Sequence, residues 1–569
     1  MGGISNSGTI NVSGSAQAFG IEVDASTISS GGITNSGSIS ATGAKSGTGI
    51  AITNGGVAGS ITNTGTITGS TAAINLTGEG GPTTINQQAG SIAGSIIGAG
   101  ITNGDVLNLT GGQIVLQPTQ SIIGIGTYNQ SGGSLVFNVT ASSATGTYPT
   151  LHAGSINLSG GTFVIAPQQG SLTQLAAQRV TVFRNAIVAD PPLSGSFGAV
   201  TTPVMLFTAS TQADATTPNS LDAVLTLNQQ AVAASAQNVA QNLHIGLDAP
   251  RVLTEAIQDR LIANGGALGE GWSASATAKG ASSFAIGGAN VWARGYDQFG
   301  SASAPSASAT LGFNFNRAAP LIAGVDWRLD NNIIAGASAT YVASSVKFKD
   351  GSHTSANSYQ GGVYAGWGSE RFYALGSAVV SFNDFAISRL LTPFGLAGDA
   401  SSSPSGQSYH GHAEAGYHWV LPTAGTNVSL TPYAALDYVN SHVQGFTEAG
   451  GFGALTVNAT DSNSFQTTLG ARITSRIVVA NYGVFVPELR LGWNHEFGDV
   501  SQTLTAALVG VPGDTFSSTG ITFGRDAALI GAGFSMELSP DAKVFVDYDG
   551  RLGSRLQEHS VSGGLKMRF

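Results

Sequence analysis

The chain has 569 residues, of which only 9% are charged; it carries 80 glycines, no cysteine and a net charge of −10. Mean hydropathy is +0.15, yet no run of about 18 consecutive apolar residues exists, which excludes a spanning helix. What remains is a glycine-rich repeat protein, or a β-barrel whose apolar residues are hidden by alternation, and the chain is long enough for both. An acidic balance without a Lys/Arg-rich run argues against nucleic acid as a partner.

Residues 1–20 contain neither Lys nor Arg and no continuous apolar stretch, so they do not read as a signal peptide, and the chain opens inside a repeat. That reads as a fragment or processed form lacking its export signal. Three segments align without gaps: GGISNSGTI (Gly2–Ile10), GGITNSGSI (Gly31–Ile39) and GSITNTGTI (Gly59–Ile67). Their leading isoleucines, Ile4, Ile33 and Ile61, are spaced 29 and 28 residues apart. TINQQAGSI (Thr84–Ile92) is a weaker copy, and VLNLTGGQIVL, YNQSGGSLVFNV and INLSGGTFVIA repeat an Asn, a hydroxyl residue, a Gly pair and a short alternating strand. Repeats of this length with β-branched runs and Asn-Gly corners predict a parallel β-helix over 1–170, with Ile and Val stacked inward. Calcium-roll repeats of the Gly-Gly-x-Gly-x-Asp kind do not occur.

This first part is chemically quiet. Residues 1–228 hold three basic side chains, seven acidic ones and a single histidine, His152. A Ser-His-Asp triad would have to use His152, which stands in no nucleophile motif. One His without Cys cannot build a transition-metal site. The expectation is no catalytic residue, no metal and no cofactor, and a surface made for binding or spacing.

Apolar segments between 171 and 227 read as a cap on the β-helix, protecting the open edge of its last coil. In 228–287 two helices are predicted, Asn228–Leu243 with a break near Gly246, and Asp248–Asn264 with Pro250 in its first turn. Leu253, Ile257 and Leu261 share one face of the second, with Glu255, Asp259 and Arg260 elsewhere, as suits a helix that threads a barrel lumen or plugs its mouth.

Composition changes after this linker. Eight aromatic residues fall in 1–228 and 36 beyond it, the enrichment that membrane-interface girdles require. Twelve strands are predicted, at 290–299, 320–330, 333–347, 356–368, 371–384, 407–421, 428–441, 463–477, 484–497, 527–538, 541–553 and 558–569. In the sixth, Tyr409, Gly411, Ala413, Ala415, Tyr417 and Trp419 oppose His410, His412, Glu414 and His418. Alternation places Arg472, Glu488, Arg490, Asp547, Asp549, Arg551, Lys566 and Arg568 on the lumenal side. If these charges hold the helix through Arg251, Glu255, Asp259 and Arg260, charge reversal of Arg490 or Asp547 loosens it. The fold class is therefore all-β, with a β-helix, a short helical linker and a 12-stranded antiparallel transmembrane barrel over 288–569.

PELRLGWNHEFGD (Pro487–Asp499), TGITFGRDAALIGAGFSMEL (Thr519–Leu538), VFVDYDGRLGSR (Val544–Arg555) and the terminal SVSGGLKMRF resemble the translocator of bacterial autotransporters, the monomeric type V secretion proteins. The resemblance implies a monomeric barrel in outer-membrane lipid, with the first part exported through it C-terminal end first and displayed at the cell surface. It also implies help from the barrel-assembly machinery, for which Ser562, Gly564, Met567 and Phe569 match the family's insertion signal. Some members cut themselves at an Asn-Asn pair in the lumenal helix; none lies between 228 and 265, so the passenger is expected to stay attached or to be cut by another protease. The function expected is a non-enzymatic passenger for adhesion to host surfaces or neighbouring cells. The alternative is a secreted hydrolase whose catalytic part lies outside this chain.

Overall fold

Ile4, Ile33 and Ile61, aligned by the repeat, stand beside one another on parallel strands, and the file continues through Ile85, Leu107, Tyr128 and Ile156. A second file runs from Ile10 through Ile39, Ile67, Ile92, Ile114 and Leu135 to Phe163. A third joins Ile21, Ile50, Ile74, Ile96, Ile122, Leu151 and Ile187. Three strands per turn, each stacked on its counterpart in the next turn, make a parallel β-helix in which a single period-two pattern fills the core from three sides. Ile33, Ile39, Ile50, Ile61, Ile67 and Ile74 are fully buried, and each contributes about 1.5–3 kcal/mol by leaving water. Gly31 and Gly32 turn the corner between coils at φ +81° and +58°, a region β-branched residues rarely adopt.

Beyond α1 (Leu172–Gln178) the pairing changes hand. Val180–Ala189 still lies parallel to the previous coil on one edge, but pairs antiparallel with Ser220–Leu227, which pairs antiparallel with Phe207–Ala213. Three helical segments follow: α2 (Gln229–Ser235), α3 (Gln237–Asp248) and α4 (Arg251–Leu261). The predicted break near Gly246 is not where the chain bends. Helix α3 runs through Gly246, whose carbonyl accepts the Ser408 hydroxyl at 2.6 Å, and the absent side chain makes room for Ser441. The interruptions fall at Ala236 and before Pro250, which has no N–H to continue the ladder.

Twelve antiparallel strands then close on themselves, the first (Ala289–Ala302) pairing with the last (Leu556–Met567). They keep the predicted order and parity, and several run further than expected: the second is Phe313–Asp330 and the fifth Phe372–Leu390. Between Ala318 and Ile322 the second strand slips in register, because Pro320 lacks the N–H its neighbour would accept. Two loops contribute a separate four-stranded sheet, Phe446–Thr447, Leu455–Val457, Thr503–Leu508 and Phe516–Thr519.

This computed structural model describes residues 2–262, 284–286, 289–305, 311–330, 332–423, 426–479, 483–511, 513–539 and 542–567. Arg568, Phe569 and most of the 265–287 linker lie outside it, as do the side chains of Lys566 and Met567. The chain divides into two compact units, Met1–Val232 with Phe394–Leu396, and Ala233–Pro393 with Ala397–Phe569. No helix among the described residues is long and apolar enough to cross a membrane.

Candidate functional site: the barrel lumen and its helix

Strand parity sorts the barrel wall. On the sixth strand (Ser405–Tyr417), Tyr409 is 52% exposed while His410, His412 and Glu414 are 6% or less. On the ninth (Gly483–Glu496), Leu489 and Leu491 look outward and Glu488, Arg490 and Asn494 are buried inside. An outer face of Leu, Val, Tyr and Trp with a polar interior is the surface a bilayer demands. Inward aromatics fit over glycines of the next strand: Trp292 over Gly324, Tyr364 over Gly336, Tyr373 over Gly416 and Tyr433 over Gly470.

The predicted lumenal charges form a chain of ion pairs along the wall. Arg472 reaches Glu488 at 3.1 Å, and Arg490 reaches Glu488 at 2.8 Å, Asp549 at 2.9 Å and Asp547 at 3.3 Å. Gly531 and Gly533 on the adjoining strand leave the space that the Arg490, Asp549 and Asp547 side chains occupy. Arg551 donates to Glu558 at 3.1 Å and to Asn494 at 3.2 Å.

Helix α4 lies against this wall. Val252, Leu253, Ala256, Ile257 and Leu261 pack with Ile322, Ile334, Val342, Leu375 and Val379 in one apolar cluster. The rest of its circumference is held by polar groups of the barrel wall. Arg260 donates two hydrogen bonds to Asp326, at 2.9 and 3.1 Å, and Asp326 also accepts the Tyr364 hydroxyl at 3.1 Å. Asp259 pairs with Arg294 at 2.7 Å, and Glu255 accepts the Tyr296 hydroxyl. Arg251 donates to Gln466 at 2.7 Å and to Ser464 at 2.9 Å. One carboxylate oxygen of Asp437 lies 2.9 Å from a ring nitrogen of both His410 and His412, and the other nitrogen of His410 hydrogen-bonds with the Thr254 hydroxyl at 2.8 Å. Arg490 pairs with Glu488, Asp547 and Asp549, and the contacts that hold α4 include those to Asp326, Arg294, Tyr296 and the histidine pair.

Further along, Arg317 pairs with Asp248 of α3 at 2.9 Å. Where α2 and α3 meet, fully buried Arg389 pairs with Glu448 and donates to the Ser235 carbonyl at 3.2 Å, capping the carbonyls that the interruption frees. Loop groups close round the same segment: the Ile521 amide donates to Gln241 at 2.8 Å and the Ser518 hydroxyl to the Ala233 carbonyl at 2.6 Å. A cavity of about 200 Å³ remains beside α4, lined by Glu255, Gln258, His412, Arg472, Arg490 and Asp549 among others. In the last strand, Gly564 gives room to the Phe545 ring, and Ser562 accepts from Arg294. In the first unit His152, on the half-buried strand Thr150–Leu158, stands 3.4 Å from Asp190, and no hydroxyl bonds to it among the described residues.

Residues 291–549 match the family model of the autotransporter beta-domain. The barrel is an autotransporter beta-domain. It is 28% identical over 156 residues to the extracellular serine protease of Serratia marcescens, an alignment covering 27% of this chain and 14% of the relative. It is 25% identical over 254 residues to the esterase EstA of Pseudomonas aeruginosa, covering 44% of this chain and 38% of that protein. The chain thus spans well under half the length of these relatives. The translocator domain of the autotransporter NalP from Neisseria meningitidis superposes with a TM-score of 0.41 and 14% identity, covering 57% of this chain and 99% of that one. The autotransporter's barrel lies in the outer membrane with its passenger at the cell surface.

Proposed function

We propose that this autotransporter exports a non-enzymatic β-helical passenger and then keeps it anchored, with α3 and α4 as the stopper of the pore. The observation that supports the passenger's role is the outward file Ser5, Thr34, Thr62, Asn86, Asn108, Asn129 and Asn157, one residue per coil on adjacent parallel strands. From Asn86 onward these amides bond one to the next at 2.8–2.9 Å. An uncharged, repetitive hydrogen-bonding face suits many weak contacts in parallel, as in adhesion to host surfaces or between neighbouring cells. Export C-terminal end first needs no nucleotide: each coil that folds outside buries isoleucines and opposes return. The last strand, with Ser562 and Gly564, is the segment the barrel-assembly machinery would receive, and residues 171–227 would seed folding as the cap. The protein works as a monomer in this reading.

External protease on intact cells tests display. The expected result is loss of the repeats, loss of cell settling, and a surviving heat-modifiable barrel; repeats that resist protease while the barrel is in the membrane overturn the proposal. A second reading rests on the relatives' names, which include a serine protease, an esterase and a lipase: a hydrolytic passenger carried by the same barrel. Hydrolysis of a casein or short-chain ester substrate by displaying cells, absent from cells displaying the barrel alone, would favour it.

A further inference from the structure

His152, the only histidine in residues 1–228, lies beside the only Asp-Pro pair of the sequence, Asp190–Pro191. Strand Thr150–Leu158 holds that pair from both sides. Its Ala153 carbonyl accepts the Asp190 amide at 3.0 Å, and its Ile156 amide donates to the Pro192 carbonyl at 3.0 Å. Before the pair, Ile187, Val188 and Ala189 run beside Leu151, His152 and Ala153; after it, Leu193 stands beside Ile156. The chain turns a corner between these two pairings, and Asp190, Pro191 and Pro192 are exposed at it. The corner is therefore fixed at both feet and open to water at its apex.

His152 Nε2 faces Asp190 Oδ1 at 3.4 Å. The histidine side chain is 44% exposed, yet this nitrogen is shielded from water and makes no hydrogen bond among the described residues. The charged groups of the adjoining strands are engaged elsewhere. Arg184 of Val180–Ala189 pairs with Asp214 at 3.4 Å, and Asp222 of Ser220–Leu227 accepts the Asn185 amide at 2.9 Å and the Gln212 side chain at 3.2 Å. Strands Ser121–Gln130 and Leu193–Gly195 carry no charge. An aspartate carboxylate reaches its own backbone carbonyl carbon by closing a small ring. The bond to a following proline is the one that yields, because the fully substituted nitrogen leaves as a secondary amine that takes up a proton readily.

The geometry points to Asp190–Pro191 as a self-cleaving bond, with Asp190 as nucleophile and His152 as the acid that assists it. A carboxylate oxygen of Asp190 attacks the Asp190 carbonyl carbon, the C–N bond to Pro191 breaks, and the proton on His152 passes to the departing nitrogen. Solvent water then opens the cyclic anhydride, leaving the side-chain and terminal carboxylates of Asp190. Of the two protons this releases, one returns to His152 and the other goes to solvent. The cut ends stay in place, because Val180–Ala189 also pairs antiparallel with Ser220–Leu227, so residues 1–190 remain bound to the cap as one piece of a nicked passenger. The step needs no protease, and it holds whatever the passenger binds.

Intact-mass measurement on the full chain in detergent, held at about pH 5.5, where imidazole carries its proton, reads the cut directly. Two fragments should form whose masses sum to the parent plus one water, the second beginning at Pro191. Asp190→Ala should give neither fragment, and His152→Gln should cut about a hundredfold more slowly with an unchanged melting temperature. The parent unfolded in urea at the same pH should cut more slowly than the folded chain, which separates a built site from the acid lability of any Asp-Pro bond. That comparison uses the parent alone, so it decides even if His152→Gln fails to fold. A parent that stays intact, equal rates in the folded and the urea-unfolded chain, or a folded His152→Gln that cuts as fast as the parent overturns the inference.

Discussion

Glu79 sits at a corner of the β-helix, accepting the Thr83 hydroxyl at 2.6 Å and the Asn103 amide at 2.7 Å. Partial burial, with the Asp105 carboxylate beside it, pushes its carboxyl up to about 8 from the usual 4.5. Between those two values the folded passenger holds a proton that the unfolded chain has released, so its stability falls as pH rises from 4.5 to about 8. Glu79→Gln, which stays uncharged, should flatten that slope; thermal unfolding of the full chain followed across the same window checks it, and an unchanged slope would place the titration elsewhere. At this scale the sequence was informative about residue type and silent about neighbours. Glu79 and Asp105 are 26 positions apart, and only the coil geometry makes them meet.

Helix α4 was legible as an amphipathic element because Leu253, Ile257 and Leu261 recur at one face. Its partners were not, since a wall of twelve strands offers many inward acids and the choice depends on how the helix is rotated and how deep it lies. Asp326, buried beneath Trp292 and Tyr364, is the clearest case. Arg260→Ala would leave that carboxylate buried without its bidentate guanidinium, at a cost of about 3 kcal/mol. The expected outcome is a lower temperature for the heat-modifiable shift of the barrel on gels, with Arg260→Lys restoring only part of it because an ammonium cannot fill both bonds. The strands themselves followed parity, as the sixth shows with Tyr409 outside and His410 inside. Their ends did not, because antiparallel pairing continues past the apolar band that marks them in sequence, and because Pro320 breaks a ladder in a strand that continues beyond it.

Over the whole molecule, a β-helix and a closed barrel each solve the problem of sheet edges, one by stacking and the other by closure. The barrel needs something in its lumen, because twelve strands enclose more space than wall side chains fill. Deletion of residues 229–262 should leave a folded, heat-modifiable barrel whose single-channel conductance rises several-fold over that of the full chain; equal conductance would mean that the helix does not obstruct the path of ions. The sequence by itself determined the period-two and 29-residue patterns, hence the β-helix, the strand number and the face each side chain takes, because those follow from backbone geometry that is local. The tertiary structure alone decided which charge meets which, and that Arg260 and Asp259 of α4 meet Asp326 and Arg294, because ion pairs depend on rotation and register between segments distant in the chain.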